Sequence, residues 1–304
     1  MEMSSQLMDK SIYEKQSDTL IIQCLFAQRK KYSQAKVVAS LYFFLCVVAV
    51  CVFAVLKSIT HNELITGLSI GLSFATFFAA FPINNCISKI RTEAAEIQQY
   101  IDTTLYSSNQ YSHWNNKWSS PLTKDRIIEI VSKYPQSGFT DNDKWYEDYS
   151  TCDYSKQILL CQKENLRWDS DLRKKYAFAY KVIMYVIIAL IFVAAAIINP
   201  SFLNFLSIAL WCLPFIKYLW SFNNHMKEDD NRITKLKNAA DNLLNNYGLV
   251  LDGDELIKKE IELQSGIFEH RKKALLIPNF FYKLCRSKQQ KNEESIAENY
   301  KKVE

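Results

Sequence analysis

Apolar and polar positions alternate along this chain in long blocks. Three stretches, 37–56, 64–88 and 182–216, run for 20, 25 and 35 residues without an Asp, Glu, Lys or Arg, and the charge of the protein lies outside them. As a helix, about 20 apolar residues rise about 30 Å, the thickness of a bilayer's hydrocarbon core. The pattern therefore predicts membrane spans. The third run is too long for one crossing and contains Asn199, Pro200 and Ser201, a turn signal at which a helix ends. Four transmembrane helices in two hairpins follow.

Helical periodicity continues beyond these blocks. Ile90, Ala94, Ile97, Ile101 and Leu105, and then Ile233, Leu236, Ala240, Leu243 and Tyr247, keep a three-to-four residue spacing, the stripe of a helix packed against others. Gly248 and Gly253 bracket a break, after which Leu256, Ile257, Glu260, Ile261, Gln264, Ile267 and Phe268 form a weaker stripe up to Pro278, so the tail folds back as a helical hairpin. The segment 109–154 is aromatic, rich in Ser and Asn and less regular, with a helix over 123–134 ended by Pro135. Residues 288–304 are polar and are expected to fray. With six glycines in 304 residues, Gly-rich phosphate loops and turn-rich β architectures are excluded, and the fold class is all-α. The divisions are a cytoplasmic N-terminal helix (1–36), a first transmembrane hairpin (37–88), a cytoplasmic helical segment (89–181), a second transmembrane hairpin (182–222), and a cytoplasmic C-terminal helical hairpin and tail (223–304).

Charge orients this arrangement. Sixteen Lys and Arg flank the spans on one side, whereas the two short opposing loops hold only Lys57. Basic flanks stay inside, so both termini and the middle segment are expected in the cytoplasm of a multi-pass membrane protein, with almost nothing outside. No cleavage site follows a short apolar core before residue 37, so the first span is expected to be retained rather than removed as a signal peptide. Eight cysteines show no CxxC pair and read as reduced, small apolar residues.

Candidate chemistry is sparse. HExxH, GxGxxG, GxxxxGK[ST] and GxSxG are absent and the four histidines are scattered, so no catalytic residue, metal site or cofactor is expected. Asp229 and Asp230, beside Lys227, Glu228 and Arg232, read as a solvated helix start. The spans lack the ionisable residues of pumps and ion-coupled transporters. In the second span, Gly67, Gly71, Ala75 and Ala79 repeat every four residues, a small-residue face for close helix packing. Beside it Thr66, Ser69, Ser73 and Thr76 place four hydroxyls along one face, which either packs or lines a wet path through an oligomer.

Two segments leading into spans carry the most distinctive polar pattern. Gln28, Arg29 and Tyr32 precede the first span; Gln162, Asn165, Asp169, Arg173 and Tyr176 share one helical face before the third, with Trp168 beside them and Asp169 and Arg173 spaced to pair. These residues either dock a helix on the cytoplasmic bundle or couple a signal to the spans.

The same residues carry a family resemblance. Gln16, Leu25, Ala27-Gln28-Arg29, Tyr32-Ser33 and Ala35-Lys36 are followed by Trp145-Tyr146, then by Cys161-Gln162, Asn165, Trp168-Asp169, Leu172-Arg173 and Tyr176, and finally by Arg271, Ile277-Pro278 and Tyr282. This series, over nearly the whole chain, resembles the SMODS-associating four-transmembrane effectors of bacterial conflict systems, departing from it at Glu147, where a proline is expected. The resemblance implies a non-enzymatic, oligomeric, pore-forming effector of anti-phage defence in the bacterial inner membrane. Its implied partners are the lipid bilayer, copies of itself and a cyclic or oligonucleotide second messenger, with no nucleic acid. A constitutive membrane scaffold that docks a cytosolic partner is the alternative.

Overall fold

The structure, a computed structural model, describes residues 10–44, 63–108, 122–134, 144–198, 202–248 and 253–303, with a few single positions between them. Among these residues every regular element is a helix. In chain order they are α1 (Ile12–Lys15), α2 (Thr19–Phe43), α3 (Glu63–Tyr106), α4 (Lys124–Ser132), α5 (Tyr154–Ile198), α6 (Phe202–Asn245), α7 (Gly253–Lys273) and α8 (Asn279–Val303). The break before α7 falls where the glycines place it, and Gly248 takes φ 76°, a left-handed conformation that costs glycine little.

Two long pairings organise the bundle, α2 along α3 and α5 along α6, with α7 laid across α3, α5 and α6 and α8 against α5. The apolar stripes behave as their spacing requires. Ala94, Ile97, Ile101 and Leu105 are buried, and three of them meet Ile21, Cys24 and Leu25 of α2 and Ile158 and Cys161 of α5 in one core. Ile233, Ala240 and Leu243 join Leu159, Leu166, Leu256, Leu263 and Ile267 in a second. Each such Ile or Leu contributes roughly 1.5–3 kcal/mol by leaving water, which is what holds these helices side by side.

The last helix corrects the expectation of a fraying tail. Gln289, Glu293 and Ala297 are buried at four-residue spacing; Gln289 Nε2 donates to the Trp168 carbonyl at 3.0 Å and Arg167 Nε donates to Glu293 Oε2 at 3.1 Å. A polar sequence can be ordered when its polar atoms are answered by a neighbouring helix, and α5 supplies the partners.

The expected spans divide differently. Among the described residues no helix is long and apolar enough to cross a membrane. Much of the stretch from 45 to 62, residues 199–201 and most side chains of the second hairpin fall outside the described residues. What is described shows a sharp change of character along single helices. In α3 the large apolar residues Leu64, Leu68, Phe74, Phe78 and Phe81 are exposed, whereas polar Gln98, Gln99, Asp102 and Thr103 are buried. In α5 the order is reversed: Gln157, Gln162 and Arg173 are buried, then Phe178, Val182, Ile183, Tyr185 and Val186 are exposed. Where the two regimes meet, aromatic rings cluster, with Tyr180 and Phe222 4.2 Å apart, Tyr176 and Phe222 5.9 Å apart and Phe43 and Tyr218 5.0 Å apart.

The N-terminal segment fastens the bundle from the end opposite those apolar halves. Gln16 Oε1 accepts from the backbone N–H groups of Trp145 and Tyr146, both at 2.7 Å, and its Nε2 donates to the Tyr146 carbonyl at 3.0 Å. Replacing Gln16 with Ala strands two buried donors, at a cost of about 1–3 kcal/mol each. Faster hydrogen exchange at the Trp145 and Tyr146 amides in Gln16→Ala, with exchange in α6 unchanged, is the expected outcome.

Candidate functional site

The buried half of the bundle is threaded by polar side chains. Their centre is Asp102 on α3, 0% exposed, whose position one residue from the Ile97–Ile101–Leu105 stripe carries its carboxylate into the interior. Its Oδ2 accepts from Arg271 Nη1 at 2.6 Å and from Gln264 Nε2 at 2.8 Å, and its Oδ1 accepts from the Tyr146 hydroxyl at 2.9 Å. A buried charge persists only when paired and hydrogen-bonded, and these three donors meet that condition. Burial works against the Arg271 charge, but the Asp102 carboxylate outweighs it and raises the guanidinium further above its ordinary value.

From Asp102 the bonds run in two directions. Towards the N-terminal segment, the Tyr106 hydroxyl donates to that of Tyr146 at 3.1 Å, and Asn165 Nδ2 donates to the same Tyr146 oxygen at 3.3 Å. Burial first, then the nearby carboxylate, pushes the Tyr146 phenol well above its usual range and keeps it a donor. Towards α7, Gln264 Nε2 also reaches Gln99 Oε1 at 3.1 Å, and Gln162 Nε2 donates to Gln264 Oε1 at 3.2 Å and to the Glu260 carbonyl at 3.0 Å. The Glu260 carboxyl takes a hydrogen bond from the Ser155 hydroxyl, and burial pushes it up to about 8 against that bond's opposing effect.

A second node lies nearer the aromatic boundary. Arg173 Nε donates to Asp169 Oδ2 at 2.9 Å, while its Nη1 donates to Asp229 Oδ2 at 2.7 Å and to the Leu275 carbonyl at 3.2 Å. His270 Nε2 meets the same Asp169 oxygen at 2.8 Å. Burial opposes ionisation of Asp169, but Arg173 and His270 prevail and hold its carboxyl below the ordinary range. Asp229 also accepts from the Leu275 N–H at 2.8 Å and pairs with Arg232. It is 1% exposed, which corrects the reading of Asp229 and Asp230 as a solvated helix start. Asp230 is exposed; Asp229 faces α5, where Arg173 supplies the charge that makes burial tolerable.

Most residues expected to couple a signal fall on or beside these nodes. Gln162, Asn165, Asp169 and Arg173 are members. Trp168 lies beside Tyr282, with ring centroids 6.5 Å apart, and Tyr176 packs on Phe281 at 5.1 Å. Tyr32 donates to Gln98 Oε1 at 3.4 Å and burial pushes its phenol up to about 12. Gln28 is buried with its Oε1 unanswered among the described residues, and Arg29 faces a cleft beside Trp168. The hydroxyl side chains of Thr66, Ser69, Ser73 and Thr76 lie outside the described residues. At Gly67 and Gly71 an added Cβ meets nothing within 4 Å among the described residues, and Ala75 is exposed and Ala79 half-buried. Sequence reasoning missed Asp102, Tyr106, Gln264 and Glu260 as network members; an acid one residue from a strict apolar stripe was the signal available for Asp102.

Among the described residues no group of three or more His, Cys, Asp or Glu is placed to hold a metal ion. The acids of both nodes are committed to arginine, amide and hydroxyl donors. Such an arrangement joins α3, α5, α6 and α7 into a unit whose parts shift together or not at all.

Comparison with known proteins gives three results. Residues 10–300 match the family described as the SMODS-associating 4TM effector domain. A curated protein of Bacillus cereus strain VD146, named a "probable CBASS effector molecule", is 22% identical over 300 residues, covering 94% of this chain and 95% of its own length. No solved structure matches.

Two outcomes test the nodes. Removing one member of a buried pair costs about 3–5 kcal/mol, and replacing both with apolar groups recovers much of it. Arg271→Met should therefore lower the thermal midpoint more than Asp102→Leu combined with Arg271→Met. For Glu260, folding moves the pKa from 4.5 up to about 8, so between those values the unfolded chain binds fewer protons and stability falls as pH rises. Glu260→Gln removes that loss: its midpoint should match the parent near pH 4.5 and exceed it near pH 8, the gain at pH 7 being roughly 3 kcal/mol from about 1.4 kcal/mol per unit.

Proposed function

The chain belongs to the SMODS-associating 4TM effector family, and from that premise we propose that it is a membrane effector of bacterial anti-phage defence, opened by a nucleotide second messenger. A bacterial anti-phage effector role agrees with the family and with the curated relative's name. The finer reading, a pore-forming protein of the inner membrane with both termini inside, is our proposal.

One observation carries it. Among the described residues, the large exposed apolar side chains concentrate on the C-terminal end of α2, the first half of α3 and the second half of α5, joined by Val52 and Leu56 between α2 and α3 and by Trp220 of α6, whereas Ile128, Phe280 and Leu284 lie on α4 and α8. A bare apolar surface of this extent is disfavoured in water and suits a lipid environment. The aromatic cluster at its edge fits the headgroup layer, where amphipathic rings concentrate. Because α3, α5 and α6 continue without interruption from that surface into the polar nodes, a rearrangement of the nodes moves the membrane-facing ends directly.

A second copy is the proposed partner of the small face. Among the described residues Gly67 and Gly71 have no neighbour within 4 Å of an added Cβ, and association in lipid depends on close packing of small residues rather than on a hydrophobic drive. The polar stripe of Thr66, Ser69, Ser73 and Thr76 then faces the path between copies. No part of this reading assigns a catalytic step to the chain.

The experiment is co-expression with a messenger-producing nucleotidyltransferase while membrane potential and growth are followed. Loss of potential with the active synthase, absent with an inactive synthase and reduced for Gly71→Leu alongside weaker cross-linking, is the expected result. A potential that holds while the synthase is active and the effector is in the membrane favours a scaffold that opens no path.

A further inference from the structure

One cleft borders the polar nodes without being filled by them. Its walls come from Arg29 of α2, Lys144 and Trp145 of the segment before α5, Trp168 of α5 and Tyr282 and Arg286 of α8, and its floor includes Tyr146 and Asn165. We propose that this cleft binds a nucleotide carrying two or more phosphodiester groups, and that it is the receptor site for the signal in the membrane-effector reading, on which this inference rests.

The wall chemistry selects the ligand class. Arg29, Lys144 and Arg286, from three different segments, border a space lined by four aromatic rings, those of Trp145, Tyr146, Trp168 and Tyr282, with the Lys144 ammonium 3.7 Å from the centroid of the Tyr13 ring. Arginine recognises phosphate oxygens through paired N–H groups, and aromatic faces hold unpaired bases by stacking. An aliphatic or peptide ligand has no use for the cations, and inorganic phosphate has none for the rings. One acid, Glu164, also lines the cleft; it is buried and its carboxylate accepts from the Glu147 N–H at 3.2 Å, and burial pushes its carboxyl well above the usual range.

Dimensions agree with a site that must be pried open. The cleft contains about 490 Å³ of space between atoms, its open mouth included. Trp168 and Tyr282 stand 6.5 Å apart at 53° to one another. A base between two parallel rings needs roughly 7 Å, twice the stacking rise of about 3.4 Å. Insertion therefore requires one ring to turn and α8, which carries Tyr282 and Arg286, to yield.

The floor supplies the transmission. Asn165 Nδ2 donates to the Tyr146 hydroxyl, which in turn donates to Asp102 Oδ1 at 2.9 Å. A ligand that recruits Asn165 to a base edge withdraws a donor from Tyr146 and perturbs the acid that joins α3 to α7. The path from cleft to membrane-facing helices is two hydrogen bonds long.

The test uses the full chain in nanodiscs and a panel of cyclic di- and trinucleotides of adenine, guanine and uracil, with ATP and inorganic phosphate as single-source controls, measured by calorimetry at two salt concentrations. A cyclic nucleotide should bind more tightly than ATP or phosphate and more weakly as salt rises. Arg286→Ala, Arg29→Ala and Trp168→Ala should each weaken binding tenfold or more, whereas Trp168→Phe, which keeps a stacking face, should largely restore it. Exposed Lys258→Ala is the remote control, and thermal midpoints confirm that each variant folds. Binding unaffected by the cleft variants, or no binding of any panel member to the parent, overturns the inference. Synthase-dependent loss of potential that survives the cleft variants sinks this site and leaves the effector reading intact; cleft-dependent binding without loss of potential does the reverse.

Discussion

The pairing of Asp102 with Arg271 is the constraint on which the buried polar half of this protein depends. Both side chains are buried, and the carboxylate is answered because other segments converge on it: Gln264 from α7, Tyr146 from the segment before α5, and through Gln264 the amide of Gln162 on α5. Desolvating a charge costs several kcal/mol, so an ion pair in the interior adds little net stability while making its own disruption expensive. The effect is to penalise intermediate positions. Helices held by apolar contact alone can slide by fractions of a turn, whereas helices joined through such a node exchange one satisfied arrangement for another or stay as they are.

The second node extends the same logic towards the apolar halves. Arg173 spans Asp169, Asp229 and the Leu275 carbonyl, so one guanidinium ties α5 to α6 and to the link between α7 and α8. Arg91 of α3 donates to the Ala274 carbonyl at 3.2 Å, at the end of α7 where unanswered carbonyls accumulate. Beyond these contacts the character of the surface inverts, with aromatic rings marking the change. A long helix that is polar inside at one end and apolar outside at the other has two solvents to satisfy, and the nodes lie on the polar side of that boundary.

Much of this was legible in the sequence where the signal is local. The stripes Ala94–Ile97–Ile101–Leu105 and Ile233–Ala240–Leu243 repeat within one helix, so the buried faces follow from spacing, and the Asp169–Arg173 pair is fixed by one turn. Partnerships across the chain were not legible. Asp229 sits in a run of charged residues indistinguishable from a solvated face until Arg173, 56 residues earlier, is placed opposite it. Residues 289–297 read as a loose tail for the same reason, since their answering groups belong to α5. The polar face Gln162–Asn165–Asp169–Arg173 was visible as a pattern, but which of its members meet Asp102 and which meet Asp229 depends on the packing of α6 and α7.

The clamp at the start of the chain has a consequence for how the protein is made. Lys15 is 2% exposed, and its ammonium donates to the carbonyls of Leu105 and Ser107 and to the hydroxyl of Tyr154, partners 90, 92 and 139 residues away. A ribosome adds residues one at a time, and the nascent chain folds from its N-terminus as partners emerge. This lysine must wait until about half of the protein has been synthesised. Over that interval the first apolar stretch, residues 37–56, leaves the ribosome before the polar nodes can close around the helix that leads into it, so the clamp forms only after that stretch has emerged.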